Sequence, residues 1–152
     1  MNKNILKALP FTLLFTALIA AIASAAAPPG RYTVDEESAT VRDERTGLIF
    51  SQNITSGRVS YAEAEAHCAS LEGNFRLPTR AELMSIVDRM TRNPAVDTVF
   101  RETTPADFFW TSTPDPRDPE GFVFRVEFTN GVTGVAGRDS AATAYTRCVS
   151  SQ

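Results

Sequence analysis

The chain has 152 residues, enough for one hydrophobic core and not for two. Its formal charge is −3, and its two lysines, Lys3 and Lys7, sit at the very start, so residues 26–152 carry thirteen arginines against eighteen acids. That balance excludes nucleic acid as the default partner and weakens long-range attraction to sulfated polysaccharides, and a stretch free of lysine excludes Schiff-base chemistry.

Taken in chain order, Lys3 and Lys7 precede an apolar run over 9–22, and the small residues Ala23-Ser24-Ala25 follow it. This is the pattern of a secretory signal peptide, residues 1–25, cut after Ala25. The run is short of the roughly 20 residues that a membrane span needs, and no stop-transfer charges follow it. A membrane anchor is therefore the weaker reading, and no span is expected after cleavage. The expected route is Sec export to the periplasm, the cell surface or the exterior. Residues 26–39 are rich in proline, glycine and acids and read as a linker or lead-in, with a short strand near 31–34. A single domain is expected over 40–150.

Two short strands, 41–43 and 48–51, flank a turn in which Gly47 supplies a left-handed position. Ser60 and Glu63 form a capping box that opens a first helix, whose buried face is Tyr61, Ala64, Cys68 and Leu71. Gly73-Asn74 closes it. Pro78 holds Leu77 extended, and Thr79 with Glu82 makes a second capping box. Leu83, Ile86, Val87 and Met90 give this second helix an apolar stripe, ended by Asn93-Pro94. An irregular connection follows, anchored by Val96, Val99 and Phe100. The rest is β: a strand over 108–112, a charged loop over 114–120, and an alternating strand over 122–128. In that strand Phe122, Phe124, Val126 and Phe128 are expected to face the core, with Arg125 and Glu127 on the other side. Asn130-Gly131 signals a hairpin into 132–135, and 145–149 is the last strand.

The order hairpin, two helices, antiparallel meander predicts an α+β fold with two helices packed on an antiparallel sheet. Cys68 and Cys148 are the only cysteines. In an exported chain an even count favours a disulfide, here from the first helix to the last strand. It would close a loop of about 80 residues, worth roughly 4.5 kcal/mol by loop entropy. The alternative is two free thiols, one of them reactive.

Catalytic chemistry has little to work with. His67 is the only histidine, and its helical neighbour Cys68 points about 100° away, so the two do not form a nucleophile–base pair. One histidine and two cysteines make no zinc set. Asp115, Asp118 and Glu120 offer carboxylates for calcium in the 114–120 loop, but their spacing matches no calcium loop and a solvated loop is the favoured reading. Trp110 reads as core rather than as a sugar platform. Asn53-Ile54-Thr55 is a glycosylation sequence without meaning outside a eukaryotic secretory route. Arg80, Arg89, Arg92 and Arg101 read as a solvated helix face.

Five motifs occur in order. They are Asp43-x-x-Thr46-Gly47-Leu48, the alanine-rich helix with Cys68, and Arg76-Leu77-Pro78-Thr79-x-x-Glu82-Leu83, then Phe109-Trp110-Thr111-Ser112-Thr113 and Tyr145-Thr146-Arg147-Cys148-Val149. Together they resemble the Lcl C-terminal domain family (DUF1566) over nearly all of the chain after the signal peptide. The resemblance implies a C-type-lectin-like fold, related to the formylglycine-generating-enzyme fold, in a bacterial envelope or extracellular setting. Family members tend to be binding or adhesion modules, and no cofactor is implied. The chain departs from the family pattern at Ile49-Phe50 and at Asn74-Phe75, where the family commonly has tryptophan, and each swap keeps an aromatic.

The function expected is an exported, non-catalytic, lectin-like module that binds a glycan or a cell-surface protein. Its ligand would sit on the loops 114–120 and 137–143, through Asp115, Arg117, Asp118, Glu120, Arg138 and Asp139. A structural envelope protein without a soluble ligand is the alternative. An enzyme of the sulfatase-modifying type is more distant, because that chemistry uses reactive cysteines and a bridged pair supplies none.

Overall fold

The computed structural model describes residues 28–151, so the signal peptide expected over 1–25 lies outside the described residues. Strands β1 (Tyr32–Asp35), β2 (Thr40–Asp43) and β3 (Ile49–Ser51) come first. Helices α1 (Tyr61–Ala69) and α2 (Arg80–Met84) follow, then a 3-10 helix (Thr98–Thr103). Strands β4 (Phe108–Pro114), β5 (Phe122–Glu127), β6 (Val132–Gly137) and β7 (Val149–Ser150) complete the chain. The fold is α+β. The strands form two antiparallel sheets rather than one, in the orders β1-β2-β3-β7 and β4-β5-β6.

The second sheet separates two cores. On one side Phe109, Val126 and Phe128 pack with Leu83, Ile86, Phe100 and the first-sheet residues Val41, Phe50 and Val149. On the other, Trp110, Val123 and Ala136 pack with Tyr61, Ala64 and Cys68 of α1. Burial on both faces corrects the alternation expected of β5. Val123 is fully buried, whereas Phe122 is 43% exposed and Phe124 is half-buried, with the Arg80 guanidinium 4.4 Å above its ring. Arg125 does project to the side opposite Val126, but it lies flat on Phe108, 4.4 Å from the ring centre, instead of in solvent. Trp110 is core, and its indole N–H donates to the Val59 carbonyl at 2.9 Å.

Both capping boxes form. The Ser60 hydroxyl accepts from the Glu63 amide, and the Glu63 carboxylate accepts from the Ser60 amide at 2.8 Å. Thr79 and Glu82 repeat the arrangement at α2. Glu82 also takes both terminal nitrogens of Arg76 at 2.8 Å. The Arg76 backbone bridges to Val149, so the Arg-Leu-Pro-Thr junction ties α2 to the last strand.

Helix α2 is shorter than its apolar stripe suggests. The Ser85 hydroxyl bonds back to the Glu82 carbonyl, and the Ser85 carbonyl is taken by Arg31 at 2.9 Å. Beyond it, the Asp88 amide bonds to the Ala95 carbonyl, and the Ile86 carbonyl accepts from Asp97. The helix ladder therefore gives way to a paired loop. Ile86 still reaches the core, but Met90 is 76% exposed. Cys68 and Cys148 are bridged, which joins α1 to the segment leading into β7.

Candidate functional site

The loops 114–121 and 137–143 are brought together at the free end of the second sheet. The Arg138 amide donates to the Gly121 carbonyl at 2.9 Å, and its guanidinium reaches the Pro119 carbonyl at 3.4 Å. The same guanidinium lies over the Tyr61 ring, 4.9 Å from its centre, and donates to its hydroxyl at 3.2 Å. Burial pushes the Tyr61 phenol up, so it stays protonated at neutral pH. Gly137 and Ser140 close the second loop through a hydroxyl-to-carbonyl bond of 2.8 Å.

The six residues expected here have different fates. Asp115 is buried, and Arg117 folds back on it through several side-chain bonds of about 3 Å. Hydrogen bonds from that guanidinium, and then from the Arg117 amide, hold the Asp115 carboxyl below the usual carboxylate range. Asp118 accepts from the Gly121 amide at 3.1 Å and serves the turn. Arg138 is the clamp between the loops. Of the six, Glu120 and Asp139 are exposed and take no part in the bonds that shape the loops, so the loop face presents two acids beside a held arginine. Among the described residues no group of three histidines, cysteines or acids is placed to hold a metal ion.

A second feature was not legible in the sequence. An open cleft of about 540 Å³ lies between the segments 53–56 and 102–105, with Tyr145 at its floor. One residue ties the second wall to the chain that leads into the first. Arg147 is completely buried, and its guanidinium donates to the Ser51 and Gln52 carbonyls just ahead of the first wall. On the other it donates to the Thr103 carbonyl and to the hydroxyls of Thr103 and Thr104, at 2.9–3.2 Å. Burial lowers its pKa to about 9, which leaves it charged at neutral pH. The Thr146 amide adds a bond to the Thr55 hydroxyl at 3.2 Å. The walls are some fifty residues apart in sequence, and nothing in either one announces the other.

His67 is half-buried and lines a smaller cavity of about 300 Å³ with Leu71, Glu72 and Phe75. Its neighbour Cys68 is in the disulfide and offers no thiol.

A family model, the Lcl C-terminal domain, matches residues 39–150. The chain belongs to the Lcl C-terminal domain family. No curated protein and no solved structure matches it. Within this Lcl C-terminal domain the shared motifs have structural duties. Arg76, Thr79 and Glu82 form the junction, Trp110 is core, Arg147 braces the cleft and Cys148 closes the bridge. Strand β1 lies ahead of the matched span and adds an edge to the first sheet.

Proposed function

We propose that this Lcl C-terminal domain is an exported, non-catalytic binding module of the bacterial envelope or cell surface, lectin-like in role, with a glycan or a surface protein as its ligand. The observation that carries the reading is the clamped loop pair. Two loops at one end of the β5–β6 hairpin are held together by Arg138 on a sheet packed over a disulfide-stapled helix. A face held rigid before binding loses little entropy when a ligand arrives. The bridged cysteines support an oxidising compartment and hence export.

The contact set is Glu120, Asp139 and the edge of Arg138, with Arg117 and Asp115 shaping the loop beneath. Binding of the purified protein to a panel of glycans, including heparin, and to envelope proteins tests this. We expect measurable affinity for one class, weakened about tenfold, or about 1.4 kcal/mol, in the Glu120→Ala/Asp139→Ala double variant. Binding to none of them at physiological salt overturns the reading and leaves the structural envelope protein. N-terminal sequencing of the exported chain is expected to begin at Ala26, and a start at Met1 removes the export step.

A further inference from the structure

The cleft between 53–56 and 102–105 has a composition unlike that of the loop face. Asn53 and Ser56 on one wall and Glu102 on the other are exposed, while Thr55 is buried with its hydroxyl accepting from the Thr146 amide. Tyr145 forms the floor, flanked by Ile54 and Pro105. None of the described residues lining the cleft is an arginine. Arg147 is buried beside the walls, and its terminal nitrogens are committed to backbone carbonyls and threonine hydroxyls.

We infer that this cleft is a binding site for an uncharged or amino-bearing pyranose. A pyranose has a C–H face that packs on an aromatic ring and an edge of vicinal hydroxyls that needs both donors and acceptors. Tyr145, Ile54 and Pro105 supply the first surface. The Asn53 amide, the Glu102 carboxylate and the Ser56 hydroxyl supply the second. An amide opposite a carboxylate pairs naturally with two adjacent sugar hydroxyls, since the amide can donate and accept while the carboxylate only accepts. A sulfated or phosphorylated sugar is disfavoured there, because Glu102 is the only charged side chain among the described residues lining the cleft and it repels anions.

The site is built before any ligand arrives. The Arg147 guanidinium bonds to the Gln52 carbonyl just ahead of one wall and to Thr103 on the other, and the Thr146 amide bonds to Thr55 of the first, so the separation of the walls does not depend on the ligand. Tyr145 is held from below by Phe109, with ring centres 5.6 Å apart. The inference does not depend on the loop face, which lies on other residues.

The test is a residue-resolved NMR titration of the 15N-labelled protein. The probes are the methyl glycosides of N-acetylglucosamine, glucosamine, galactose and mannose, with a heparin hexasaccharide as the anionic comparison. At least one glycoside is expected to give saturable shifts at 53–56, 102–105 and Tyr145, and heparin none at those positions. Asn53→Ala and Glu102→Gln change exposed side chains and are expected to leave the melting temperature unchanged. Each is expected to weaken the glycoside about tenfold, the effect of losing one hydrogen bond to a charged or amide partner. Saturable shifts with none of the glycosides overturn the inference, as do shifts in the cleft produced by heparin alone. Shifts confined to 117–120 and 138–139 also overturn it while supporting the loop face.

Discussion

Arg147 carries a full charge in a place closed to water, and among the described residues no carboxylate pairs with it. Its burial is offset by carbonyl and hydroxyl acceptors at 51–52 and 103–104 and by the Phe100 ring 5.1 Å away. Replacing it strands several buried acceptors together. Arg147→Met should cost about 3 kcal/mol of unfolding free energy, read from urea denaturation. Arg147→Lys should recover less than half of that, because an ammonium cannot span two walls as a planar fork does. A variant as stable as the parent would mean that the walls hold their positions without the brace. The sequence showed Arg147 only as part of an Arg-Cys-Val motif. Its partners at 51–52 and 103–104 are visible only once the chain is folded, so the role of the residue was not legible beforehand.

At the scale of elements, the local punctuation was legible and the burial pattern was not. Ser60 with Glu63, Thr79 with Glu82, and the turn at Gly131 are short-range devices, and each works as the sequence indicates. Thr79→Ala should therefore destabilise the fold by about 1 kcal/mol. Gly131→Ala should cost more, about 2 kcal/mol, because its φ is +76° and the added Cβ would lie 2.5 Å from Val87 Cγ1. Thermal melts of the two variants give the order directly, and a milder Gly131 variant would contradict the close approach to Val87. The faces of β5 were misjudged because alternation assumes one wet side, and a strand between two cores has none. The length of α2 does not follow its apolar stripe because its end is set by Arg31, far off in sequence, and by residues 95–97 folding back on it.

For the whole molecule, acid is the condition that strains it. Burial pushes the Asp43 carboxyl up, but hydrogen bonds from Arg31 and from the Arg45 amide outweigh it, and the net shift is downward. Glu82 is lowered first by hydrogen bonds from Arg76, against its burial, and further by the Thr79 amide. Carboxyls lowered in the folded state add stability that is complete above their unfolded pKa of about 4 and is lost as pH falls through the folded value. The melting temperature should therefore hold from neutrality to about pH 5 and then fall steeply below about pH 4. Asp43→Asn should start from a lower melting temperature and show a shallower acid decline. An equal decline in that variant would assign the acid sensitivity to other groups.

The bridge between Cys68 and Cys148 also decides how the molecule bears tension. A pull between the two ends of the described chain passes straight from one cysteine to the other, across a sequence separation of 80 residues. The enclosed segment holds α2 and the second sheet, and with them the loop face and the 102–105 wall of the cleft. About 280 Å of extended chain is thereby taken out of the load path. Force can peel away the first three strands and α1, while the loops 114–121 and 137–143 stay slack inside a covalent ring.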